Sequence, residues 1–309
     1  MRRRDFLRMT AAAMFAAASS PWSESWADEL SDLTDATNDS VPLDENIVAI
    51  FSDTHTQVPI TTHQPQRLIQ CVKAVLNMNP RPANLLIYGD VAYLQGRVEE
   101  YQLFKRIIAP IDKAGIKWEA AMGNHDRLNN FYAVFPERKE EKPLVADRYV
   151  HIVKTPRADF ILLDSYMEGQ VRGEIRPDQR AWLEDQLKAY AGTAKSVFVG
   201  CHHPIHETGL QELLTSSPNC AGFIHGHWHR WSSHPVGNLP TLCFGSTGHW
   251  GDCGYALVHL SEKDALFVPY IEAFIMHALV KKPIPDVPAY LKQLNEKKVL
   301  MGYRVRSEG

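Results

Sequence analysis

The chain has 309 residues, of which 45% are hydrophobic and 22% are charged, and its formal net charge is -3. This is ordinary globular composition, with enough length for one large domain or two smaller ones. The slightly acidic balance gives no global attraction to nucleic acid or anionic lipid, so a nucleic-acid partner is not expected. The five cysteines contain no Cys-x-x-Cys spacing, which argues against a disulfide framework or a thiolate zinc site. We expect at most one oxidised pair, Cys243 with Cys253.

The first residues have the pattern of an export signal. The basic segment Arg3 to Arg8 precedes a short apolar stretch, Met9 to Ala18, as in secretory signals. Paired arginines followed by x-Phe-Leu-Arg resemble the twin-arginine export motif of bacteria. The apolar stretch is shorter than the ~20 residues needed to span a bilayer, so no stable membrane anchor is expected. We predict a twin-arginine-type signal peptide over residues 1–27, cleaved after Ala27 or Ala18, the twin-arginine export machinery as a partner, and a periplasmic or secreted protein.

Residues 28–45 are acidic and rich in Ser, Thr and Asn, and we predict that they form a flexible leader. The predicted folded domain covers residues 46–275. It begins with the continuous apolar run Ile47 to Phe51, which is typical of a buried strand. An amphipathic helix is predicted from about Pro65, and the run Leu85 to Tyr88 predicts the next strand.

The alternation of strands and helices continues along the chain, with apolar runs at 196–199 and 221–224 that predict further strands. This order predicts a largely parallel sheet in an α/β fold, whose functional residues lie beyond the carboxyl ends of the strands. Short β segments are predicted between residues 239 and 274. Residues 276–309 are predicted to form a C-terminal helical tail, with a basic helix from about Asp286.

Five short motifs rich in metal-ligand residues each follow an apolar run. They are, in chain order, Asp53-Thr54-His55, Gly89-Asp90, Gly123-Asn124-His125-Asp126, His202-His203-Pro204 and Gly226-His227-Trp228-His229. Together they offer three oxygen ligands and four imidazoles besides His125, enough to hold two metal ions with a water between them. No single motif is specific, but five of them at strand ends predict a two-metal hydrolase. The candidate ligands are Asp53, His55, Asp90, Asn124, His202, His227 and His229.

The spacing within these motifs predicts how side chains are directed. Alternation along an extended segment puts Asp53 and His55 on one side, and His227 and His229 likewise, with Trp228 opposed. The carboxylate that follows the glycine of the second motif can use its two oxygens to bridge two ions.

The neighbours of the candidate ligands have other predicted roles. Only one of His202 and His203 needs to bind metal. His125 is expected to point into the cleft without binding metal, and Asp126 to orient His125 as a hydrogen-bonding partner. A flat surface near the ions could come from Trp228, Trp231, His249 and Trp250, although core packing is at least as good an explanation for each.

The ordered set Asp-x-His, Gly-Asp, Gly-Asn-His-Asp, His-x-Pro and Gly-His-x-His resembles the calcineurin-like metallophosphoesterase superfamily, and within it the class III cyclic nucleotide phosphodiesterase branch. The resemblance covers about residues 47–260 and implies an α-β-β-α four-layer sandwich. It implies that one ion is held by Asp53, His55, Asp90 and His229. The second ion would be held by Asp90, Asn124, His202 and His227. His125 aligns with the histidine that contacts the phosphoryl oxygen or protonates the leaving group.

The implied enzyme is a binuclear-metal phosphoesterase in which a hydroxide bridging the two ions attacks phosphorus in line. Mixed nitrogen and oxygen ligation suits Fe, Mn and Zn alike. The substrate is expected to be a small phosphate ester, with diesters such as cyclic nucleotides or glycerophosphodiesters favoured. A phosphomonoesterase or nuclease of the same fold and a non-catalytic binding module remain alternatives. Gly89-Asp90-x-x-Tyr93 also resembles the purple acid phosphatases, but their first motif lacks a histidine, so Tyr93 is not expected to be a ligand.

Overall fold

The computed structural model describes residues 40–277 and 284–304. The predicted signal peptide and residues 28–39 of the predicted leader lie outside the described residues. The first strand begins at Leu43 rather than at residue 46. Leu43 and Asp44 pair in parallel with Arg81 and Pro82, so backbone pairing brings polar residues into the sheet that hydrophobicity alone assigns to the leader.

The structure contains two β-sheets and a set of helices. The strands are β1 (Leu43–Phe51), β2 (Arg81–Tyr88), β3 (Lys117–Ala121), β4 (His151–Val153), β5 (Ala158–Leu162), β6 (Ser196–Cys201), β7 (Cys220–His225), β8 (Ser232–Ser233), β9 (Thr241–Cys243), β10 (Gly251–Leu260), β11 (Asp264–Ile275) and β12 (Val299–Gly302). The helices are α1 (His63–Leu76), α2 (Val98–Lys113), α3 (Leu128–Val134), α4 (Pro177–Ala191), α5 (Ile205–Thr208), α6 (Gln211–Ser216) and α7 (Val287–Glu296), with a 3-10 turn at Pro136–Arg138.

Each sheet has six strands, and the parallel strands form one side of the first sheet and the centre of the second. The first sheet has the order β12-β11-β10-β1-β2-β3, and the second has the order β4-β5-β6-β7-β9-β8. Strands β1, β2 and β3 are parallel, and so are β5, β6, β7 and β9. The prediction of parallel strands joined through helices is confirmed for β1 to β3 and for β5 to β7, whereas β9 follows β7 through the short strand β8. The antiparallel strands β10, β11 and β12 extend the first sheet.

Side-chain alternation in the strands builds the layers. In β1, Val48 and Ile50 lie in the apolar core shared with Phe160 and Phe198 of the second sheet. The alternate residues of β1 face the other way, into the core formed with α1 and α2. The helix α4 covers the outer face of the second sheet through Leu183 and Leu187. The layers therefore follow the order helix, sheet, sheet, helix, and the predicted α-β-β-α sandwich is confirmed.

The carboxyl-terminal part differs from its prediction. Residues 239–274 contain one short strand, β9, as predicted, but then the long strands β10 and β11, of 10 and 12 residues, in place of further short segments. The helix α7 is preceded by Asp286, whose carboxylate accepts a hydrogen bond from the Ala289 backbone N–H at 3.0 Å. The chain then adds β12 to the edge of the first sheet, so the predicted helical tail also contains a strand. Four residues are too few to show a strand period in the sequence.

All five cysteines are buried and free. The predicted pairing of Cys243 with Cys253 is wrong, because Cys243 lies in β9 of the second sheet and Cys253 lies in β10 of the first. Among the described residues, no helix has the length and apolar character to cross a membrane.

A buried histidine gives a prediction about stability. Burial, and then the Arg138 guanidinium, lower the pKa of His151 from 6.5 to about 4. Below pH 6.5, His151 is therefore protonated in the unfolded chain, but in the folded chain it stays neutral down to about pH 4. The free energy of unfolding falls over this pH range. Between pH 7 and pH 5, we expect the free energy of unfolding of wild type to fall by on the order of 1–2 kcal/mol more than that of His151→Gln.

Urea unfolding followed by circular dichroism at each pH measures this difference. His234→Gln is the matched control, because His234 is exposed, and it should keep the wild-type slope. Identical pH slopes for His151→Gln and wild type would contradict the prediction.

Candidate active site

The five motifs lie where the carboxyl ends of β1, β2, β3, β6 and β7 meet. Beyond the strands, backbone pairing continues from loop to loop. The Asp53 N–H donates to the Gly89 carbonyl at 3.0 Å, and the His55 N–H donates to the Asp90 carbonyl at 2.8 Å. The Gly226 N–H donates to the His202 carbonyl at 3.0 Å and joins the two loops of the second sheet. The loops of both sheets are thus fixed by the strands that lead into them.

One group of donor atoms comes from the first and last motifs. His229 Nε2 lies 3.1 Å from Asp53 Oδ1 and 3.3 Å from His55 Nε2. His55 Nε2 lies 3.5 Å from Asp90 Oδ2. These side chains are buried, and the sequence assigned all of them to one ion. The structure brings that set together.

The other group is centred on His202. Its Nε2 atom lies 3.2 Å from Asp90 Oδ2, from Asn124 Oδ1 and from His227 Nδ1. These are the residues assigned to the second ion. Asp90 Oδ2 is within 3.5 Å of nitrogens from both groups, which is where a bridging carboxylate has to lie.

Backbone carbonyls fix which nitrogen of two imidazoles faces the site. His202 Nδ1 lies 2.8 Å from the Tyr88 carbonyl, and His229 Nδ1 lies 3.1 Å from the Trp250 carbonyl. A carbonyl only accepts, so in each ring Nδ1–H donates and a neutral ring presents its Nε2 lone pair to the site. Metal-binding histidines are commonly oriented in this way.

This donor set fits a metal ion. Imidazole lone pairs, carboxylate oxygens and an amide oxygen converge with few hydrogens between them, so only a cation satisfies them together. His203, by contrast, has both ring nitrogens engaged, at 2.8 Å from Ser165 Oγ and 3.1 Å from the Val171 carbonyl. Of the two adjacent histidines, His202 is therefore the one available as a ligand.

The electrostatics of the site favour a positive charge. Burial would raise the pKa values of the Asp53 and Asp90 carboxyls, but neighbouring imidazoles outweigh burial and lower both. Burial would lower the pKa of His202, but Asp90 and Asp53 outweigh it and raise that pKa to about 10. The two carboxylates thus favour positive charge at this position, and a metal ion that bound there would compete with a proton for His202.

The backbone at the ligands is unusual. Asp53, His55, Asp90, His227 and His229 all have positive φ, between 43° and 68°. The expectation that strand alternation places the paired ligands on one side is therefore wrong in its mechanism, because β1 ends at Phe51 and β7 at His225. Left-handed turns direct these side chains into the site, at about 1–3 kcal/mol each for residues other than glycine.

Two motif glycines allow the loops to approach closely. A Cβ on Gly123 would collide with the Asp90 carboxylate, and a Cβ on Gly226 would collide with Ser52 and Asp53. The Gly-Asn-His-Asp and Gly-His-x-His spacings therefore reflect steric contact between neighbouring loops as well as ligand chemistry.

His125 lies beside the ligands and is accessible. Its side chain is 26% exposed, and its Nε2 is 3.9 Å from Asp90 Oδ2. Nδ1–H donates to the Leu94 carbonyl at 2.9 Å, and the backbone N–H donates to Asp90 Oδ1 at 2.9 Å. The ring is therefore held with Nε2 toward the site and in contact with the cavity.

The predicted role of Asp126 needs correction. Its carboxylate contacts the backbone and one hydroxyl, and does not reach the His125 ring. It accepts hydrogen bonds from the N–H groups of Val91, Ala92 and Gly123 and from the Tyr101 hydroxyl, at 2.9–3.2 Å. The Leu94 carbonyl orients His125 instead. Asp126 ties the loop after β2 to the loop after β3, and thereby fixes Asp90 relative to Asn124.

A cavity of about 370 Å³ opens over the donor atoms. His249 lines it with a ring centroid 4.3 Å from that of His55, although sequence reasoning placed His249 only among aromatic side chains. Of the predicted flat surface, Trp228 and Trp250 also line the cavity, whereas Trp231 is buried in the core. No motif spacing links His249 to His55, so only the folded chain reveals their contact.

The model of the calcineurin-like phosphoesterase family matches residues 47–231, which contain all five motifs. The chain belongs to the calcineurin-like phosphoesterase family. It is a metal-dependent phosphoric ester hydrolase by its family and by the named activities of its relatives.

Three curated proteins resemble the chain. A probable glycerophosphodiester phosphodiesterase GpdQ of Arcobacter nitrofigilis is 27% identical over 66% of this chain and 79% of its own length. Probable cyclic nucleotide phosphodiesterases of Psychrobacter arcticus and Rhodococcus erythropolis are each 24% identical, over 65% and 79% of this chain and 77% and 88% of their own lengths. These names agree with the class III branch inferred from the motifs.

The shared position of Asp90 predicts the effect of removing its charge. We expect Asp90→Asn to lower the bound metal per chain by at least half, because the site loses the carboxylate that contacts both donor groups. Elemental analysis of the metal-loaded, dialysed protein measures this. Asp185→Asn, at a side chain 76% exposed, is the control and should keep the wild-type content. Full metal content in Asp90→Asn would disprove the bridging assignment.

Proposed function

We propose that the protein is a binuclear-metal phosphodiesterase that hydrolyses small phosphodiesters by in-line attack at phosphorus. The observation that carries this proposal is the position of Asp90 Oδ2, 3.5 Å from His55 Nε2 and 3.2 Å from His202 Nε2. One carboxylate between two donor groups is the arrangement that a pair of ions requires. One ion would bind Asp53, His55, Asp90 and His229, and the other Asp90, Asn124, His202 and His227.

Fe, Mn and Zn all suit this mixed donor set. When bound, the ions would lower the pKa of a water molecule and offset charge on the phosphoryl oxygens. The remaining steps belong to residues of the chain. With Nδ1–H donated to the Leu94 carbonyl, a protonated His125 presents Nε2–H to the cavity. From there it donates to a phosphoryl oxygen or to the departing alkoxide, where negative charge grows in the transition state.

Diesters are proposed over monoesters because the similar curated proteins are named as phosphodiesterases of glycerophosphodiesters and cyclic nucleotides. The aromatic wall of the cavity, with Trp228 and Trp250, suits a diester whose second arm extends from phosphorus. We further propose that the chain is exported by the twin-arginine machinery and acts in the periplasm, on the basis of its paired arginines. Export after folding would let metal loading occur in the cytoplasm.

His125 gives a direct test of the proposed chemistry. We expect His125→Ala to lower kcat by ~10²–10⁴ while the bound metal stays at the wild-type value, because His125 acts on the substrate and not on the ions. Steady-state kinetics and elemental analysis on one preparation measure both quantities. His206→Ala, at a half-exposed histidine, is the control and should keep wild-type kcat. Loss of metal in His125→Ala would refute the assigned role.

The substrate class is tested by comparing esters on the metal-loaded protein. We expect faster hydrolysis of bis(p-nitrophenyl) phosphate than of p-nitrophenyl phosphate, and no cleavage of plasmid DNA. Preference for the monoester would identify a phosphatase, and DNA cleavage would identify a nuclease. Bound metal without turnover on any of these esters would favour a non-catalytic binding module.

Export is tested separately from chemistry. We expect the double variant Arg3→Lys, Arg4→Lys to leave the protein in the cytoplasm, because the twin-arginine machinery reads the arginine pair. Fractionation and immunoblotting of a bacterial host measure the distribution. Arg2→Lys with Arg8→Lys makes the same number of changes outside the pair and should still be exported. Equal export of both double variants would contradict the proposed route.

A further inference from the structure

Arg127, directly after the Gly-Asn-His-Asp motif, is a half-buried cation beside the site. Its Nη1 donates to the backbone carbonyls of Asn124 at 3.2 Å and Asp126 at 2.6 Å. Its guanidinium carbon lies 5.4 Å from the centre of the Tyr166 ring. Within residues 40–277 and 284–304, no carboxylate forms an ion pair with it. A half-buried charge without a counter-ion is costly unless a ligand supplies one.

Two buried carboxylates line the same groove as Arg127, and both are already engaged. Asp126 accepts its hydrogen bonds from Tyr101 and from backbone N–H groups. Asp164 lies 3.6 Å from Arg148 Nη1 and accepts from the Tyr149 and Tyr166 backbone N–H groups. Neither is available to neutralise the Arg127 guanidinium.

Arg127 and Tyr166 line a groove of about 870 Å³ between the loops that follow β3 and β5. The other arginines of this groove have partners, Arg148 with Asp164 and Arg176 with Asp178. The acidic side chains at the groove are exposed, where water and salt screen them; they are Glu140, Asp147, Glu168 and Glu174. Lys139 also lines the groove without an ion pair in the described part of the chain, but it is exposed. Among the described residues, Arg127 is therefore the half-buried cation of this groove that no carboxylate pairs with.

The position of Arg127 connects the groove to the proposed chemistry. It is two residues from His125, and its Nη1 contacts the backbone of the candidate ligand Asn124. The groove adjoins the cavity over the donor atoms, because His125 and Val171 line the cavity and their chain neighbours Asp126 and Gln170 line the groove. One arm of a diester whose phosphorus lies over the donor atoms can therefore point toward this groove. With Nη1 held by two carbonyls, the guanidinium is already oriented, so little side-chain entropy is lost when its remaining N–H groups bind.

We propose that Arg127 binds an anionic group, a carboxylate or a second phosphate, on one ester arm of the substrate. The preferred substrates are then phosphodiesters that carry a second negative charge. This inference rests on the proposed phosphodiesterase function and specifies its substrate class. Guanidinium matches both groups through paired N–H donors, which an ammonium cannot do.

The test compares two esters that differ only in this charge, ethyl p-nitrophenyl phosphate and carboxymethyl p-nitrophenyl phosphate. The measured quantity is the ratio of their kcat/KM values, carboxymethyl over ethyl, at fixed ionic strength with metal-loaded enzyme. We expect a ratio of about ten in wild type, about one in Arg127→Met and an intermediate value in Arg127→Lys. Arg172→Met removes a charge from an exposed arginine and should keep the wild-type ratio.

A purely structural role for Arg127 would slow both esters equally and leave the ratio at its wild-type value in Arg127→Met, which would overturn the inference. A ratio that also falls to one in Arg172→Met would overturn it as well, because the preference would then be a bulk charge effect. A kcat/KM ratio of one in wild type would also overturn the inference. Failure of metal-loaded wild type to hydrolyse even the ethyl ester would instead overturn the proposed function, and this inference with it.

Discussion

The site depends on a concentration of negative charge and lone pairs that the protein alone cannot satisfy. Asp53 and Asp90 are buried at the ends of neighbouring parallel strands, and imidazoles from the second sheet close over them. Asp90 and Asp53 raise the pKa of His202 against the effect of burial, which shows that this position favours positive charge. Buried carboxylates of this kind are destabilising when unpaired. Cation binding is therefore a consequence of how the two sheets meet, and each sheet alone carries only part of the donor set.

The cost of this arrangement is visible in the backbone. Five of the seven candidate ligands adopt left-handed conformations, and the loops that carry them approach so closely that only glycine fits at Gly123 and Gly226. Two sets of hydrogen bonds keep the backbone in these conformations. One joins the loops to one another, and the other joins the Asp126 carboxylate to backbone N–H groups of two loops. These loops are rigid extensions of the strands, so the donor atoms are positioned before any ion arrives.

The layers and the candidate ligands can be predicted from the sequence, because the layers depend on apolar periodicity and the ligands lie in short local motifs. Apolar runs predict buried strands, and motifs directly after them predict a shared rim. No sequence pattern predicts the orientation of the His125 ring, because that orientation depends on the carbonyl of Leu94 in another loop. Asp126 was misassigned for the same reason. Its neighbour in the sequence is His125, but its partners in space are Val91, Ala92, Gly123 and Tyr101. The strand β12 and the contact of His249 with His55 likewise exist only once distant segments are packed together.

The five motifs of this chain do not by themselves determine which phosphate ester it would prefer. The donor atoms can hold ions and orient a phosphoryl group, but they contact only the reacting centre. If the substrate is a phosphodiester, as proposed, one diester differs from another along its arms, which would lie beside the groove of Arg127 and the aromatic wall formed by Trp228 and Trp250. Arg127 lines the groove, with Nη1 bound to the Asn124 carbonyl and its guanidinium over the Tyr166 ring. On the proposed role of Arg127, substrate selection would depend on the geometry of the metal site, because the same loop carries Asn124, His125 and the arginine.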